Sequence, residues 1–175
     1  MTDQQVLEAE FRGFFYGEGT IDIRRYVRKG RWESFTVVLT LCQRVDNAAA
    51  LDWLVKHFGG TVGNYTLQNT HGRKGGWRSV WQLAERARVK VALGILLEGS
   101  LPATKRGEAE VALQFLDTIK AVGHFGGMRG ASGGPRSRTY STAEREQRAQ
   151  LYARFRAVRD GNRAYSRNYQ PEAVA

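Results

Sequence analysis

The alternation of apolar and polar positions lays out most of this chain before any chemistry is considered. Thr20, Asp22, Arg24, Tyr26 and Arg28 alternate with Ile21, Ile23, Arg25 and Val27. Ser34, Thr36, Val38, Thr40 and Cys42 alternate with Phe35, Val37, Leu39 and Leu41. A period of two marks a strand with one buried and one solvated face. Lys29-Gly30-Arg31 between the two strands reads as a hairpin turn. A second hairpin is expected downstream. Asn64, Thr66 and Gln68 form the polar side of its first strand. Arg78, Val80 and Gln82 alternate with Trp77, Ser79, Trp81 and Leu83 on its second. Its tip, His71 to Gly76, is basic and glycine-rich, too polar for a core.

Helical spacing fills the gaps. A first helix is expected from Thr2 to about Glu18, breaking at the Gly17–Gly19 pair. Leu51, Leu54, Val55 and Phe58 give a second, capped by Asp46 or Asn47 and stopped by Gly59-Gly60. A third covers roughly Glu85 to Glu98, and a fourth about Thr104 to Val122. The Gly-, Ser- and Arg-rich stretch Gly123 to Arg138 has no periodicity and reads as a loop. Ser141 and Glu144 form a capping box for a last helix, to about Val158, packed through Leu151, Phe155 and Val158. The layout is thus a core over 1–122, a loop over 123–140, a helix over 141–160 and a basic tail over 161–175. The core order is helix, two strands, helix, two strands, helix (αββαββα), an α+β fold with an antiparallel sheet. Trp53, Trp77 and Trp81 are expected in the core.

Charge narrows the partners. The chain of 175 residues carries a formal net charge of +10, which points to a polyanion, nucleic acid first. A membrane is disfavoured, because no apolar run approaches the ~20 residues of a span. The N-terminus lacks the features of a signal peptide. A single cysteine, Cys42, excludes an intrachain disulfide and fits a reducing cytoplasmic compartment. Three histidines without ligand spacing disfavour zinc and histidine-centred nuclease chemistry. Richness in Arg, Ala and Gly suggests a GC-rich bacterial or phage genome. A sheet with one polar, basic face can lie along a DNA groove, because a β-ribbon fits the major groove.

The most informative stretch is Phe11 to Gly19, FRGFFYGEG. Ala9, Gly13 and Gly17 recur every four residues and so share one stripe of the helix. Small residues on a stripe admit a second helix at close range, and Phe14 is expected at the same interface. Helix termination explains Gly17 and Gly19 but not Gly13, which weakens a helix interior by ~1 kcal/mol. Two such helices side by side would bring two Glu18 carboxylates together. Paired carboxylates repel unless a cation neutralises them, and their oxygens are hard ligands suited to Mg²⁺.

This segment resembles the LAGLIDADG motif. Gly13 and Gly17 fall where that family packs its two helices together, and Glu18 falls on its metal-binding acid. Phe11-Arg12 and Tyr16 depart from the usual motif residues. The resemblance extends from about Leu7 to Ile119. It implies a curved antiparallel sheet acting as a DNA saddle, with the helices on its other face. One copy of the motif implies a homodimer through Ala9, Gly13, Phe14 and Gly17. It further implies a site-specific double-strand DNA endonuclease, leaving short 3′ overhangs at a long pseudo-palindromic target. Mg²⁺ is the expected cofactor, bound through Glu18 and Gly17; Mn²⁺ would substitute, and Ca²⁺ would bind without cleavage. Gln43 matches a family glutamine that helps order the attacking water. Lys105 matches a lysine that neutralises phosphate charge. The implied DNA-contacting set is Thr20, Asp22, Arg24, Tyr26, Arg28, Thr36, Val38, Thr40, Asn64, Thr66, Gln68, Arg78 and Gln82. The rival is a non-cleaving binder on the same scaffold, an RNA-splicing maturase or a transcription regulator; a ribosome- or RNA-associated basic protein would explain the charge but not the glycine stripe.

Overall fold

Thr2 starts the first helix by a reciprocal cap: its Oγ1 accepts from the Gln5 amide at 3.3 Å, and its own amide donates to Gln5 Oε1 at 2.9 Å. The computed structural model describes residues 2–28, 32–44, 49–66, 77–119 and 141–168. Side chains at 27, 28, 32, 33, 65, 66, 77 and 163–168 lie outside that description. Helix α1 is Asp3–Glu18, followed by strands β1 (Gly19–Arg28) and β2 (Trp32–Arg44). Helix α2 (Ala49–Phe58) leads to β3 (Thr61–Thr66) and β4 (Trp77–Leu83). Helices α3 (Arg86–Glu98), α4 (Ala103–Thr118) and α5 (Thr142–Asn168) complete the chain. The expected caps at Asp46 or Asn47, the turn at Lys29 to Arg31, the tip at His71 to Gly76, Gln68 and the stretch 123–140 fall outside the described residues.

The four strands form one antiparallel sheet in the order β1-β2-β4-β3. Phe11 and Phe15 of α1, Ile21, Ile23, Leu39, Leu41, Trp81 and Leu83 of the sheet, and Leu54 and Phe58 of α2 all point into one core. Phe11 stacks on Phe58 with ring centroids 4.2 Å apart and meets the edge of Trp81 at 6.5 Å. Burying each such ring contributes roughly 1.5–3 kcal/mol, which explains why α1 lies over the sheet. Trp81 also donates from Nε1 to the Gly59 carbonyl at 2.7 Å. There the chain leaves α2 with φ of 75° at Gly59 and 89° at Gly60, values that favour glycine. Trp53, expected in the core, is only half-buried.

At the other end of the sheet, Phe35 meets Phe115 of α4 at 5.2 Å and Tyr152 of α5 at 5.4 Å. The Ser141–Glu144 capping box is present: the Glu144 amide donates to Ser141 Oγ at 3.2 Å and the Ser141 amide to Glu144 Oε2 at 2.8 Å. Helix α5 runs to Asn168, past the expected stop near Val158, so much of the expected tail is helical. Its inner stripe is partly polar. Arg148 is buried and donates to the Thr118 carbonyl at 2.9 Å, and Asn162 donates to the Thr104 carbonyl at 3.2 Å. No helix among the described residues is long and apolar enough to cross a membrane.

Candidate nucleic-acid interface and catalytic end

The sheet face turned away from the helices carries Thr20, Asp22, Arg24 and Tyr26 on β1, and Thr36, Thr40 and Cys42 on β2. Arg78 and Gln82 on β4 belong to the same face. Alternation puts them there, because Ile21, Ile23, Val37, Leu39, Leu41, Trp81 and Leu83 take the core side. The register sets Arg24 opposite Thr36, Thr20 opposite Thr40, Thr40 opposite Gln82 and Arg44 opposite Arg78. Arg78 Nη1 approaches Cys42 Sγ at 3.9 Å on this face. Arg44 was absent from the expected set. The alternation of β2, continued by one more pair of residues, would have found it.

Two expectations for this face need correction. Val38 is buried, with only 1% of its surface exposed, so it offers nothing to a groove. It lies opposite Asp22, whose carboxylate gathers two arginines. Asn64 belongs to the helix side of β3. Its register partner is Ser79, a buried residue of the core face, and Ser79 Oγ donates to Asn64 Oδ1 at 2.7 Å. The side chain of Thr66, two residues along, lies outside the described residues. The reason is Val62, which pairs with Trp81 and packs on the core, pulling its own parity of positions to that side. Arg28 lies at the end of β1, its side chain outside the described residues.

The stripe of α1 is open. Ala9, Gly13 and Gly17 are all exposed, and a Cβ added at Gly13 or Gly17 would meet nothing within 4 Å among the described residues. Tyr16 on the same helix is 53% exposed. Phe14 is half-buried and lines an apolar groove with Glu10, Ala50 and Trp53. Arg12 turns away from this groove and reaches the Ile95 carbonyl at 3.4 Å, under Gly99 of the α3 terminus.

Glu18, the last residue of α1, is exposed. Gly19 turns the chain directly into β1, and the Phe15 ring occupies the space of a Cβ there, 2.4 Å from the nearest ring atom. Lys105, in the first turn of α4, closes the end of α1. Its Nζ donates to the carbonyls of Phe15 and Gly19, each at 3.0 Å, and of Tyr16 at 2.5 Å. Those three contacts use all the donors of an ammonium. A cation at the carbonyl end of a helix is favourable, because the helix dipole is negative there. Burial holds the Lys105 pKa below the usual lysine value, and Glu108 and Glu18 act in the opposite sense. Lys105 is thus a clasp on the helix end that carries Glu18. Gln43, expected just after β2, is the second-last residue of that strand, half-buried, in register with Ser79.

Among the described residues no group of three or more His, Cys, Asp or Glu side chains could hold a metal ion. One chain brings Glu18 and the backbone carbonyls of the α1 terminus. Mg²⁺ demands octahedral oxygen coordination and is commonly held by one or two carboxylates plus phosphates and water. Of these donors the Glu18 carboxylate is exposed, whereas the Phe15, Tyr16 and Gly19 carbonyls are taken by Lys105.

An αββαββα core with an open antiparallel sheet, and a glycine-striped helix ending in an acid, defines the fold of the LAGLIDADG homing endonucleases. The homing endonuclease I-CvuI, bound to the I-CreI target, matches with a TM-score of 0.63 and 21% identity, over 90% of this chain and 84% of that one. The archaeal intron-encoded homing endonuclease I-Vdi141I, complexed with DNA, matches at 0.62 with 12% identity, over 89% and 86%. The homing endonuclease I-TnaI matches at 0.57 with 13% identity, over 88% and 96%. At such identities the likeness is one of fold. No protein-family model matches the chain, and no curated protein matches it.

Proposed function

We propose that this protein is a site-specific double-strand DNA endonuclease that acts as a homodimer and uses a divalent metal ion. The observation that carries the reading is the open stripe of Gly13 and Gly17, leading to an exposed Glu18. Nothing among the described residues requires a glycine at position 13, in a helix interior where it costs about 1 kcal/mol. Close approach of a second α1 supplies the reason. A two-fold dimer then pairs the two Glu18 residues and lays both sheets along one pseudo-palindromic duplex.

Each residue has a task in this reading. Thr20, Arg24, Tyr26, Thr36, Thr40, Arg44, Arg78 and Gln82 bind the groove and backbone of the duplex. Glu18 and the Gly17 carbonyl hold Mg²⁺, with Mn²⁺ able to substitute and Ca²⁺ supporting binding alone. A bound divalent ion supplies Lewis-acid activation of water and charge neutralisation at the phosphate. Gln43 orients the attacking water. Lys105 fixes the end of α1 so that Glu18 is held in place, and it adds positive charge beside the scissile phosphate. The products are short 3′ overhangs. I-CvuI has been crystallised on uncleaved DNA with Mg and on its own target with Ca, which agrees with metal use in this fold.

The test is incubation with a plasmid library in Mg²⁺ or in EDTA, repeated with Glu18→Gln. Linearisation that needs both Mg²⁺ and Glu18 is expected. Duplex binding without metal-dependent linearisation would replace the endonuclease by a non-cleaving maturase or regulator.

A further inference from the structure

The carboxylate of Asp22 stands on the open face of the sheet with its two oxygens divided between two arginines. Arg159 Nη1 of α5 donates to Oδ1 at 2.5 Å, and Arg24 Nε lies 3.8 Å from Oδ2. The Arg159 side chain is 17% exposed, Asp22 28% and Arg24 34%. The Arg159 side chain of α5 thus meets Asp22 on the edge strand β1. An acid here would repel phosphate, and a free one would accept from the amino group of cytosine. This one is turned to two cations instead.

The contact to Arg24 runs through Nε. That leaves both terminal nitrogens, a planar two-donor fork, free of Asp22. The acceptor pair that such a fork matches in the major groove is O6 and N7 of guanine. A carboxylate 3.8 Å from Nε favours guanidinium orientations that keep Nε beside it, which reduces the freedom lost on binding. We infer that Arg24 reads a guanine in each half-site, and that Asp22, anchored by Arg159, is a positioning residue that aims it and does not itself read a base. This rests on the DNA-binding reading above and assigns a base to one of its positions. Arg24 stands five residues beyond Gly19, so the guanine lies roughly 16 Å, about five base pairs, out from the end of α1.

The experiment is selection from a pool of random DNA duplexes in Ca²⁺, by the wild-type chain and by Arg24→Ala, Arg24→Lys, Asp22→Asn and Arg159→Gln. Melting temperature is read alongside. Wild type should enrich guanine at one symmetric pair of positions. Arg24→Ala should lose that preference, by roughly 5- to 150-fold, with the other positions unchanged. Arg24→Lys should weaken the guanine preference without abolishing it, since an ammonium can still donate to guanine but lacks the planar fork. Asp22→Asn and Arg159→Gln should relax the same position alone, which a merely structural role would not do. If Arg24→Ala weakens all sequences equally and the guanine remains, Arg24 is a phosphate contact and the assignment fails. If wild type enriches no sequence and binds no duplex, the DNA reading itself falls with it.

Discussion

Lys105 Nζ donates to the carbonyl of Phe15 at 3.0 Å, joining the first turn of α4 to the last turn of α1 across ninety positions of sequence. Two more carbonyls, of Tyr16 and Gly19, share the same ammonium. The helix that carries Glu18 is thus fixed at its C-terminal end by a side chain that a family likeness associates with phosphate. A lysine bound to three carbonyls has no donor to spare, so meeting a phosphate requires it to release one of them.

Lys105→Met should therefore destabilise the fold. Hydrogen bonds to a charged group contribute about 1.5–3 kcal/mol each when buried, but these carbonyls are partly accessible to water, so about 1–2 kcal/mol in total is expected. Urea unfolding measures it. A variant as stable as wild type would remove the clasp.

The same residue sets an alkaline pH dependence. Burial lowers its folded pKa below 10.5, while the unfolded chain keeps the ordinary value. Between the two, the unfolded state binds more protons, so this contribution to stability rises with pH. It is fully present above 10.5 and lost as pH falls through the folded value. Subtracting the Lys105→Met profile from the wild-type profile over this window should give a positive slope; a negative one would show that the helix-end carbonyls outweigh burial.

The fold was largely legible because its strongest signals are physical ones. The alternation in β1, β2 and β4 has many apolar members, so a slip of one residue would expose Ile21, Leu39 or Trp81. The capping pairs at Thr2 and Ser141 are local and read directly. Strand β3 offered no such anchor. Val62 and Asn64 share a parity, and one valine against one asparagine leaves the face open until Trp81 is known to lie opposite. The clasp of Lys105 and the ion pair of Arg159 to Asp22 join residues far apart in sequence, which no periodicity encodes. Arg159 did leave one trace: it falls four residues after buried Phe155, on a stripe where an arginine needs a partner.

Gly13 within α1 and Gly19 just after it should behave in opposite ways. Gly13→Leu places its side chain in open space, so the subunit should stay folded, with a small gain in helix propensity of up to about 1 kcal/mol. Sedimentation should then show monomers, against the dimer proposed for the wild type. Gly19→Ala instead drives a methyl into the Phe15 ring, and overpacking of this kind costs about 1–3 kcal/mol. A Gly13→Leu chain that still dimerises would place the interface elsewhere.

The parity of β3 gives a last contrast between two exchangeable-looking amides. Gln82 lies on the open face between Thr40 and Thr61, whereas Asn64 is bonded to buried Ser79 on the helix side. Removing Gln82 takes away a side chain that can bind adenine through two hydrogen bonds, at about 1–3 kcal/mol of discrimination. Removing Asn64 leaves the Ser79 hydroxyl without its acceptor, a cost to stability of about 1 kcal/mol and none to base choice. Duplex selection with Gln82→Ala and Asn64→Ala, read beside their melting temperatures, should separate the two effects. A changed base preference in Asn64→Ala, at unchanged stability, would return that residue to the groove.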